Sequence, residues 1–292
     1  MKIFIKAIWD WFQHEGRTHL PWRQTRDPYA ICVSEFMLQQ TQVERVIPKY
    51  ETWLQSFPTW GDLATASPAE VLRLWSGLGY NSRALRLQKL AQAVVTDYQG
   101  ILPRTTDELL SLPGIGPYTA AALQAFAFDQ EVPVIDTNIE RILLRYFWAV
   151  PESKREQVQI KLQLLLKEQE ATQHQPFARY FFQALMDFGA KICRTKPQCQ
   201  ICPLRDSCQA YQVQSFTVKK AKQSYFPHSR RFYRGQVLKL LKDRDKIMIA
   251  DLEKLIDIQG YAWAEIIQTL QKDQLIIVHQ SARPYLTLPG IG

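Results

Sequence analysis

The sequence predicts an all-α fold, and three observations carry that prediction. Apolar residues recur at intervals of three and four, for example over residues 82–98, which is the spacing of one helix face. Capping motifs mark helix starts, with Ser67 and Glu70 before one apolar run and Thr105 and Glu108 before another. Strand signals are nearly absent up to about residue 270.

The composition indicates a globular protein with a polyanionic partner. The 292 residues are 46% hydrophobic and carry a formal net charge of +8, with a pI near 9.2, which modestly favours nucleic acid. The N-terminal stretch MKIFIKAIWDWFQHEG predicts an amphipathic helix and not a signal peptide, and no apolar run is long enough to span a bilayer. We therefore expect no membrane association and a cytoplasmic protein, associated with the nucleoid in a bacterium.

The second predicted helix contains an acidic residue among apolar neighbours. Asp27 and Pro28 are typical of an N-cap and a first helical residue, and they precede PYAICVSEFMLQQTQ. Glu35 lies within that segment, so it either points to solvent or is a buried acid with a raised pKa. Cys32 of the same helix is interpreted as a core cysteine. Two further helices are predicted between Pro151 and Gly189.

A glycine-rich turn follows an apolar run in the stretch LPGIGPYTAAAL. Gly114 and Gly116 permit backbone angles that other residues avoid, and a helix is predicted to begin at Pro117 and Tyr118. Exposed amide groups at such a helix start suit a phosphate oxygen, whereas the alternative is an ordinary turn between core helices. Asp136 comes next, before NIERILLR, where it is a candidate N-cap.

Four of the five cysteines lie close together in the sequence, which indicates a metal site in a reducing compartment. Cys193, Cys199, Cys202 and Cys208 are separated by five, two and five residues. The composition then changes: six basic residues occur between Lys219 and Arg234 without an acidic one. We interpret residues 1–212 as one domain, 213–232 as a basic linker and 233–292 as a small domain with three short helices and then two strands. That order resembles a winged helix, which either contacts DNA or only packs on the main body.

Several segments together resemble one family. LPWR, SEFMLQQTQVERVIPKYETWL, LWSGLGYNSRALRL, the glycine turn, Asp136 and the four cysteines resemble the endonuclease III-like helix–hairpin–helix DNA glycosylases, and among these the adenine-specific MutY family. The resemblance extends from about Leu20 to Cys208. It implies a two-lobed helix–hairpin–helix fold with a cysteine-cluster segment.

The resemblance also implies catalytic roles. Glu35 would protonate N7 of adenine, Asp136 would stabilise the oxocarbenium-like sugar, and Asn138 would form hydrogen bonds in the same pocket. Tyr118 stands where bifunctional relatives have a nucleophilic lysine, which implies hydrolysis by water without efficient strand cleavage. Thr137 stands where the family often has glycine, which we interpret as tolerated.

Further positions match the family's DNA contacts. The family's hairpin glycines, here Gly114 and Gly116, bind backbone phosphate, and Gln40 and Tyr80 match residues that wedge into the duplex. Asn81 departs from the second tyrosine usual in the family. Residues that match positions around the extruded adenine are Trp22, Arg23, Leu38 and Gln183. The resemblance implies a [4Fe–4S] cluster on the four cysteines, although the first gap is one residue shorter than the family's six, so structural zinc stays an alternative.

The implied function is removal of adenine mispaired with 8-oxoguanine or guanine in double-stranded DNA, by a monofunctional and monomeric enzyme. A thymine-mismatch or other pyrimidine glycosylase of the same superfamily would not require the Glu35 segment SEFMLQQTQV. A non-catalytic DNA-binding homologue would not need both Glu35 and Asp136. Full-length MutY proteins typically carry a Nudix-like C-terminal domain, and no such pattern occurs in this sequence.

Overall fold

The computed structural model describes residues 1–150, 155–169, 177–217 and 225–291, and helices dominate them, which confirms the predicted fold class. The α-helices are α1 (Lys2–Glu15), α2 (Pro28–Leu38), α3 (Val43–Ser56), α4 (Trp60–Thr65), α5 (Pro68–Trp75), α6 (Ser82–Tyr98), α7 (Thr106–Ser111), α8 (Pro117–Ala127), α9 (Thr137–Leu143), α10 (Arg155–Gln169), α11 (Phe177–Lys191), α12 (Gln209–Gln212), α13 (Arg230–Lys242), α14 (Ile249–Leu255) and α15 (Trp263–Lys272). The strands are β1 (Ile247–Met248), β2 (Ile277–His279) and β3 (Tyr285–Thr287). Short 3₁₀ turns lie at Pro21–Arg23, Cys199–Ile201 and Arg205–Ser207, and a π-helical turn lies at Leu144–Trp148.

The structure describes only part of the predicted basic linker. Residues 218–224, which include Lys219, Lys220 and Lys222, lie outside the described residues. Within the described ranges, none of the helices has the length and apolar character needed to cross a membrane.

The chain divides into two compact units, and each is assembled from separated segments. Unit 1 contains Met1–Cys32, Arg104–Leu110 and Ile115–Ala221, and unit 2 contains Val33–Pro103, Ser111–Gly114 and Lys222–Gly292.

Helix α11 organises unit 1, where it packs against α1, α8, α9 and α10. Phe181 of α11 is fully buried, stacks on Phe177 at 4.7 Å between ring centroids and meets the edge of Phe4 from α1. Burial of one such aromatic side chain contributes about 1.5–3 kcal/mol. The apolar face of the N-terminal helix therefore forms part of the core of this unit, as its sequence predicts.

Helix α6 organises the first part of unit 2, where it packs against α4 and α5. The Gln88 side chain of α6 donates to the carbonyl of Ala66 at 2.6 Å, which satisfies a backbone group just beyond the end of α4. Trp53 and Trp75 meet edge to face at 5.5 Å between ring centroids. Ser67 and Glu70 form the predicted capping box at the start of α5.

The last part of unit 2 has three helices, α13 to α15, and then the strands β2 and β3, in the order that the sequence predicts. The two-residue strand β1 was not anticipated, and it pairs antiparallel with β3, giving the sheet order β1-β3-β2. This part packs on the helices of the same unit. Asp245 accepts from Arg73 at 3.0 Å, and Lys89 donates to Gln274 at 2.7 Å.

Candidate active site

Glu35 is buried, which excludes the interpretation that its side chain points to solvent. Every residue from Tyr29 to Met37 of α2 is buried, and Glu35 itself is 7% exposed. The helix is thus surrounded by protein on all sides. Asp27 begins it as predicted, because its carboxylate accepts from the backbone N–H of Tyr29 at 3.0 Å.

Asp136 is the N-cap of α9, as its sequence position predicts. Its Oδ1 accepts from the backbone N–H groups of Asn138 at 2.9 Å and Ile139 at 2.7 Å, and its Oδ2 accepts from the Asn138 side-chain amide at 3.0 Å. Burial raises the pKa of Asp136 above its ordinary value, although these hydrogen bonds act in the opposite direction. The carboxylate therefore has one fixed orientation and a weakened preference for its charged form.

Asn138 connects Asp136 to a buried arginine. Its Oδ1 accepts from Arg141 Nη2 at 2.7 Å, and the same nitrogen donates to the carbonyl of Gly189 at 2.8 Å. Arg141 Nε also donates to the carbonyl of Cys193 at 2.7 Å. A Cβ on Gly189 would lie 2.6 Å from Asn138 Cβ, so α9 approaches α11 this closely only because position 189 is glycine. A chain of hydrogen bonds thus leads from Asp136 to the first cysteine.

A second buried arginine stabilises the cysteine segment. Arg145 donates to the carbonyls of Arg194 at 2.6 Å and Thr195 at 3.0 Å, and its Nη1 lies 3.5 Å from Cys193 Sγ. It also donates to the carbonyl of Phe216 at 2.6 Å. These hydrogen bonds fix the backbone that follows Cys193, the first of the four cysteines.

The four thiols interact with one another. Burial raises the pKa of the Cys202 thiol to about 12, and the charges of the other three cysteines act in the same direction. Burial likewise raises the pKa of Cys199 and of Cys208. Among the described residues, however, no three potential ligands lie close enough together to hold a single metal ion.

The two hairpin glycines differ in conformation. Gly114 has φ +80°, and a Cβ there would lie 3.2 Å from the Phe36 ring and 3.3 Å from Arg86, so both backbone and packing require glycine. Gly116 has φ −104° and ψ 178°, an extended conformation open to any residue, so the expectation of special angles is wrong there. A Cβ on Gly116 would meet nothing within 4 Å. Within the chain there is thus no steric requirement for glycine at this position, and only a bound molecule could impose one. Gly116 is the N-cap of α8, in which half-buried Tyr118 is the second residue.

Gln40 and Tyr80 share an uncommon backbone conformation. Their φ angles are +55° and +46°, in the left-handed region that bulky residues avoid. Such strain costs about 1–3 kcal/mol and persists only where the surroundings enforce it. Both side chains are exposed, with Tyr80 at 39%. Asn81 follows as the N-terminal flanking residue of α6.

Arg83 fixes both of these segments. This 5% exposed side chain donates to the carbonyls of Phe36 and Gln39, each at 2.6 Å, at the end of α2. It also donates to the carbonyls of Leu78 and Gly79 at 3.3 and 3.2 Å. Burial lowers the pKa of Arg83 to about 10, which leaves it charged at neutral pH. One cation therefore joins the end of the Glu35 helix to the loop that carries Tyr80.

The residues predicted around adenine lie in both units. Trp22 is buried, Leu38 is half-buried at the end of α2, and Arg23 and Gln183 line one cavity of about 200 Å³ in unit 1. Arg23 is bound to fully buried Asp187 by two hydrogen bonds of 2.7 and 2.9 Å. The remaining residues around this cavity are Thr18, Gln24, Arg26, Arg179 and Tyr180.

Five residues that the sequence did not point to have structural roles, namely Arg83, Arg141, Arg145, Asp187 and Gly189. A usable signal existed for two of them. Asp187 is the sole acid in the apolar helix sequence YFFQALMDFGAK, and Gly189 interrupts that sequence where alanine would suit a helix better.

The comparisons with known proteins identify the family. A family model described as HhH-GPD superfamily base excision DNA repair protein matches residues 33–168. The chain belongs to this superfamily of base excision DNA repair proteins. The family and the class of enzyme predicted from the sequence, a helix–hairpin–helix DNA glycosylase, are thereby confirmed.

Within the superfamily, the chain is similar to curated adenine DNA glycosylases. It is 39% identical to that of Mycolicibacterium smegmatis, over 83% of this chain and 82% of the relative. It is 37% identical to that of Buchnera aphidicola subsp. Baizongia pistaciae, over 79% of this chain and 66% of the relative. With the protein of Rattus norvegicus it shares 42% identity, over 72% of this chain and 42% of the relative. The chain therefore spans about two thirds or less of the length of some of these relatives.

Solved structures give the same fold. A thermostable thymine-DNA glycosylase superposes with a TM-score of 0.62 at 32% identity, over 73% of this chain and 96% of that one. A non-covalent endonuclease III–DNA complex superposes with a TM-score of 0.62 at 22% identity, over 73% of this chain and 95% of that protein, which shows likeness of fold.

Proposed function

We propose that the protein is a monofunctional adenine DNA glycosylase that hydrolyses the N-glycosidic bond of adenine mispaired with 8-oxoguanine or guanine. The observation that carries the proposal is the burial of Glu35 in a chain of this family. An acid removed from water is suited to donate a proton to a base, whereas a solvated helix glutamate would be an ordinary surface residue. The similarity to adenine DNA glycosylases of bacteria and a mammal supports the choice of adenine.

In the proposed reaction, Glu35 donates its proton to N7 of adenine, and the bond between the base and C1′ of the sugar then breaks. Adenine leaves with the bonding electrons, and positive charge develops on the sugar. The carboxylate of Asp136, held by three hydrogen bonds, stabilises that charge, because its position is set before the reaction begins. Water then adds to C1′ and loses a proton, which leaves an abasic site.

Tyr118 supports hydrolysis without strand cleavage. A lysine amine at this helix start would attack C1′ and form a Schiff base, whereas the phenol of Tyr118 has no nitrogen and cannot form one. We therefore propose a single activity, base release.

The proposed partner is double-stranded DNA, bound by one copy of the chain. Gly116 leaves open space at the start of α8, where backbone N–H groups can meet a phosphate. Gln40 and Tyr80 are exposed and held in strained conformations, which suits residues that fill the gap left by an extruded base. The formal charge of +8 favours binding to a polyanion.

We further propose that the four cysteines hold a [4Fe–4S] cluster. The four thiols clustered within residues 193–208 support this proposal, and structural zinc stays the alternative because the first gap is one residue shorter than the six usual in the family. When bound, the cluster would supply cross-links that order the segment, with Arg145 beside Cys193 offsetting its negative charge.

A pyrimidine glycosylase is the second candidate, because the thymine-DNA glycosylase structure is 32% identical to this chain. The two reactions differ in the base released, so duplexes with one defined mispair separate them. Adenine release opposite 8-oxoguanine or guanine is the expected result. Thymine release from a guanine mispair, without adenine release, would overturn the proposal, and binding without any base release would indicate a non-catalytic homologue.

Two variants test the assigned carboxylates. Glu35→Gln and Asp136→Asn keep the side-chain volume and remove the acid or the charge, so single-turnover adenine release should fall at least about 10²–10⁴-fold. Duplex binding should stay largely intact. Glu44→Gln, an exposed substitution at the start of α3, is the matched control and should retain full activity. Near wild-type turnover in either carboxylate variant would contradict the assignment.

A further inference from the structure

Tyr80 is contacted by the C-terminal part of unit 2. Arg231, in the first turn of α13, donates from Nη1 to the Tyr80 hydroxyl at 2.7 Å. Its guanidinium also lies over the Tyr80 ring, 5.9 Å from the centroid, and Arg83 lies over the same ring at 5.5 Å. One guanidinium comes from α6 beside the tyrosine, and the other comes from a helix about 150 residues later in the chain.

The neighbouring arginines of α13 have a different role. Arg230 and Arg234 form ion pairs with Glu265 and Asp273, which both belong to the α15 region of the C-terminal part. Arg231 instead reaches the phenol of Tyr80 in the preceding part of the unit. Arg230 and Arg231 are adjacent and carry the same charge but bind different partners. Substitutions at these two positions therefore form a matched pair for experiment.

The helix that carries Arg231 is firmly placed. The Ser229 side chain caps it by accepting from the backbone N–H of Phe232, and the fully buried Tyr233 accepts from the backbone N–H of Gln259 at 2.8 Å. The Phe226 ring lies 6.0 Å from the Arg231 guanidinium. Arg231 therefore lies on a helix whose position these contacts fix, and not on a free tail.

Tyr80 needs such support. Its left-handed backbone is unfavourable for a tyrosine, and Arg83 restrains the backbone through Leu78 and Gly79 without holding the exposed end of the ring. The hydrogen bond from Arg231 acts at that exposed end. A ring held at both ends enters a duplex without first losing rotational freedom.

We infer that Arg231 is a positioning residue for base extrusion: it orients Tyr80 for insertion into DNA and so connects the C-terminal part of the chain to the rate of adenine release. The inference rests on the proposed function, in which Tyr80 fills the gap left by the extruded base. It assigns the C-terminal part a role in extrusion that packing alone would not provide.

The test uses full-length Arg231→Met, Tyr80→Phe, the double variant and Arg230→Met. Arg231→Met removes the donor and the charge, Tyr80→Phe removes the acceptor, and Arg230→Met removes the same charge one residue away. Three quantities are measured: duplex affinity, fluorescence of 2-aminopurine in place of the target adenine as a report of extrusion, and single-turnover adenine release.

Loss of one hydrogen bond changes an equilibrium about 2- to 13-fold, so Arg231→Met should slow extrusion and release about 3- to 10-fold. Affinity should change no more than in Arg230→Met. The double variant should be no slower than the slower single variant, because both remove one interaction. Arg231→Lys, which keeps a donor, should recover part of the rate.

Equal extrusion rates for Arg231→Met and Arg230→Met, in a wild type that releases adenine, would overturn the inference and leave the proposed function intact. Multiplying losses in the double variant would also overturn it. A wild type that releases no base from any mispair would refute the proposed function, and the inference with it.

Discussion

The buried carboxylate of Asp187 gives the sharpest prediction about stability. It is fully buried and accepts four hydrogen bonds of 2.7 to 2.9 Å, two from Arg17 and two from Arg23. At about 1.5–3 kcal/mol for each bond to a charged group, the gross interaction is about 6–12 kcal/mol, and desolvation of the three charges offsets much of it. Removing one partner leaves the other buried charges uncompensated. We therefore expect Asp187→Asn to lower the free energy of unfolding by about 3–5 kcal/mol.

The dependence on pH follows from the pKa of Asp187. Burial acts to raise this pKa, but the hydrogen bond and charge of Arg23, together with Arg17, lower it overall. A carboxyl whose folded pKa is lowered contributes stability above its unfolded pKa of about 3.9, and that contribution is lost as the pH falls through the folded pKa. The difference between wild type and Asp187→Asn should therefore be full at neutral pH and shrink below about pH 4.

Urea unfolding at pH 7 and at acidic pH measures both quantities. Asp10→Asn is the control, because Asp10 pairs with Lys6 at the surface and such pairs contribute about 0–1 kcal/mol. A loss below about 1 kcal/mol for Asp187→Asn at pH 7, matching the control, would refute the reasoning that the Arg17–Asp187–Arg23 network stabilises unit 1.

Three further predictions concern the proposed site. Tyr118→Lys should gain a borohydride-trapped complex with abasic DNA, and robust trapping by wild type would reject the monofunctional assignment. Anaerobically purified protein should be brown with broad visible absorption, Cys199→Ser should lose that colour and Cys32→Ala should keep it, whereas colourless wild type with one equivalent of zinc would decide for zinc. Because burial raises the pKa of Asp136, its contribution to stability is present below about pH 3.9 and is lost as the pH rises through the folded pKa. The stability of Asp136→Asn relative to wild type should thus increase with pH above about pH 4 in urea titrations, and a flat difference would contradict the raised pKa.

Local chemistry made much of the fold predictable from the sequence. The capping box of Ser67 and Glu70 and the N-cap of Asp136 depend on residues three or fewer positions apart, so their patterns are visible in the chain itself. The same is true of helix 82–98, whose apolar spacing gave its bounds.

Long-range contacts could not be predicted in this way. Asp187 binds Arg17 and Arg23 across 170 and 164 residues, and no local pattern encodes such a pairing. The burial of Glu35 could not be predicted from periodicity either, because α2 is buried on every side and has no polar face that would distinguish buried from exposed positions. At Gly116 the inference from residue type failed, since open space and not backbone angle distinguishes this glycine.

Unit 1 is built from separated segments of the chain, and this arrangement determines when the unit can fold on the ribosome. Helix α1 leaves the ribosome early. Helix α11, against which Phe4 packs, is synthesised much later, and its Asp187 lies 164 residues after Arg23, to which it binds. At about 5–20 residues per second, roughly 10–30 s of synthesis separate them. Phe4 can meet Tyr146 and Phe147 before α11 is made, but its contact with Phe181 and the pairing of Arg23 with Asp187 must wait, so the core of unit 1 is completed only after translation passes residue 187.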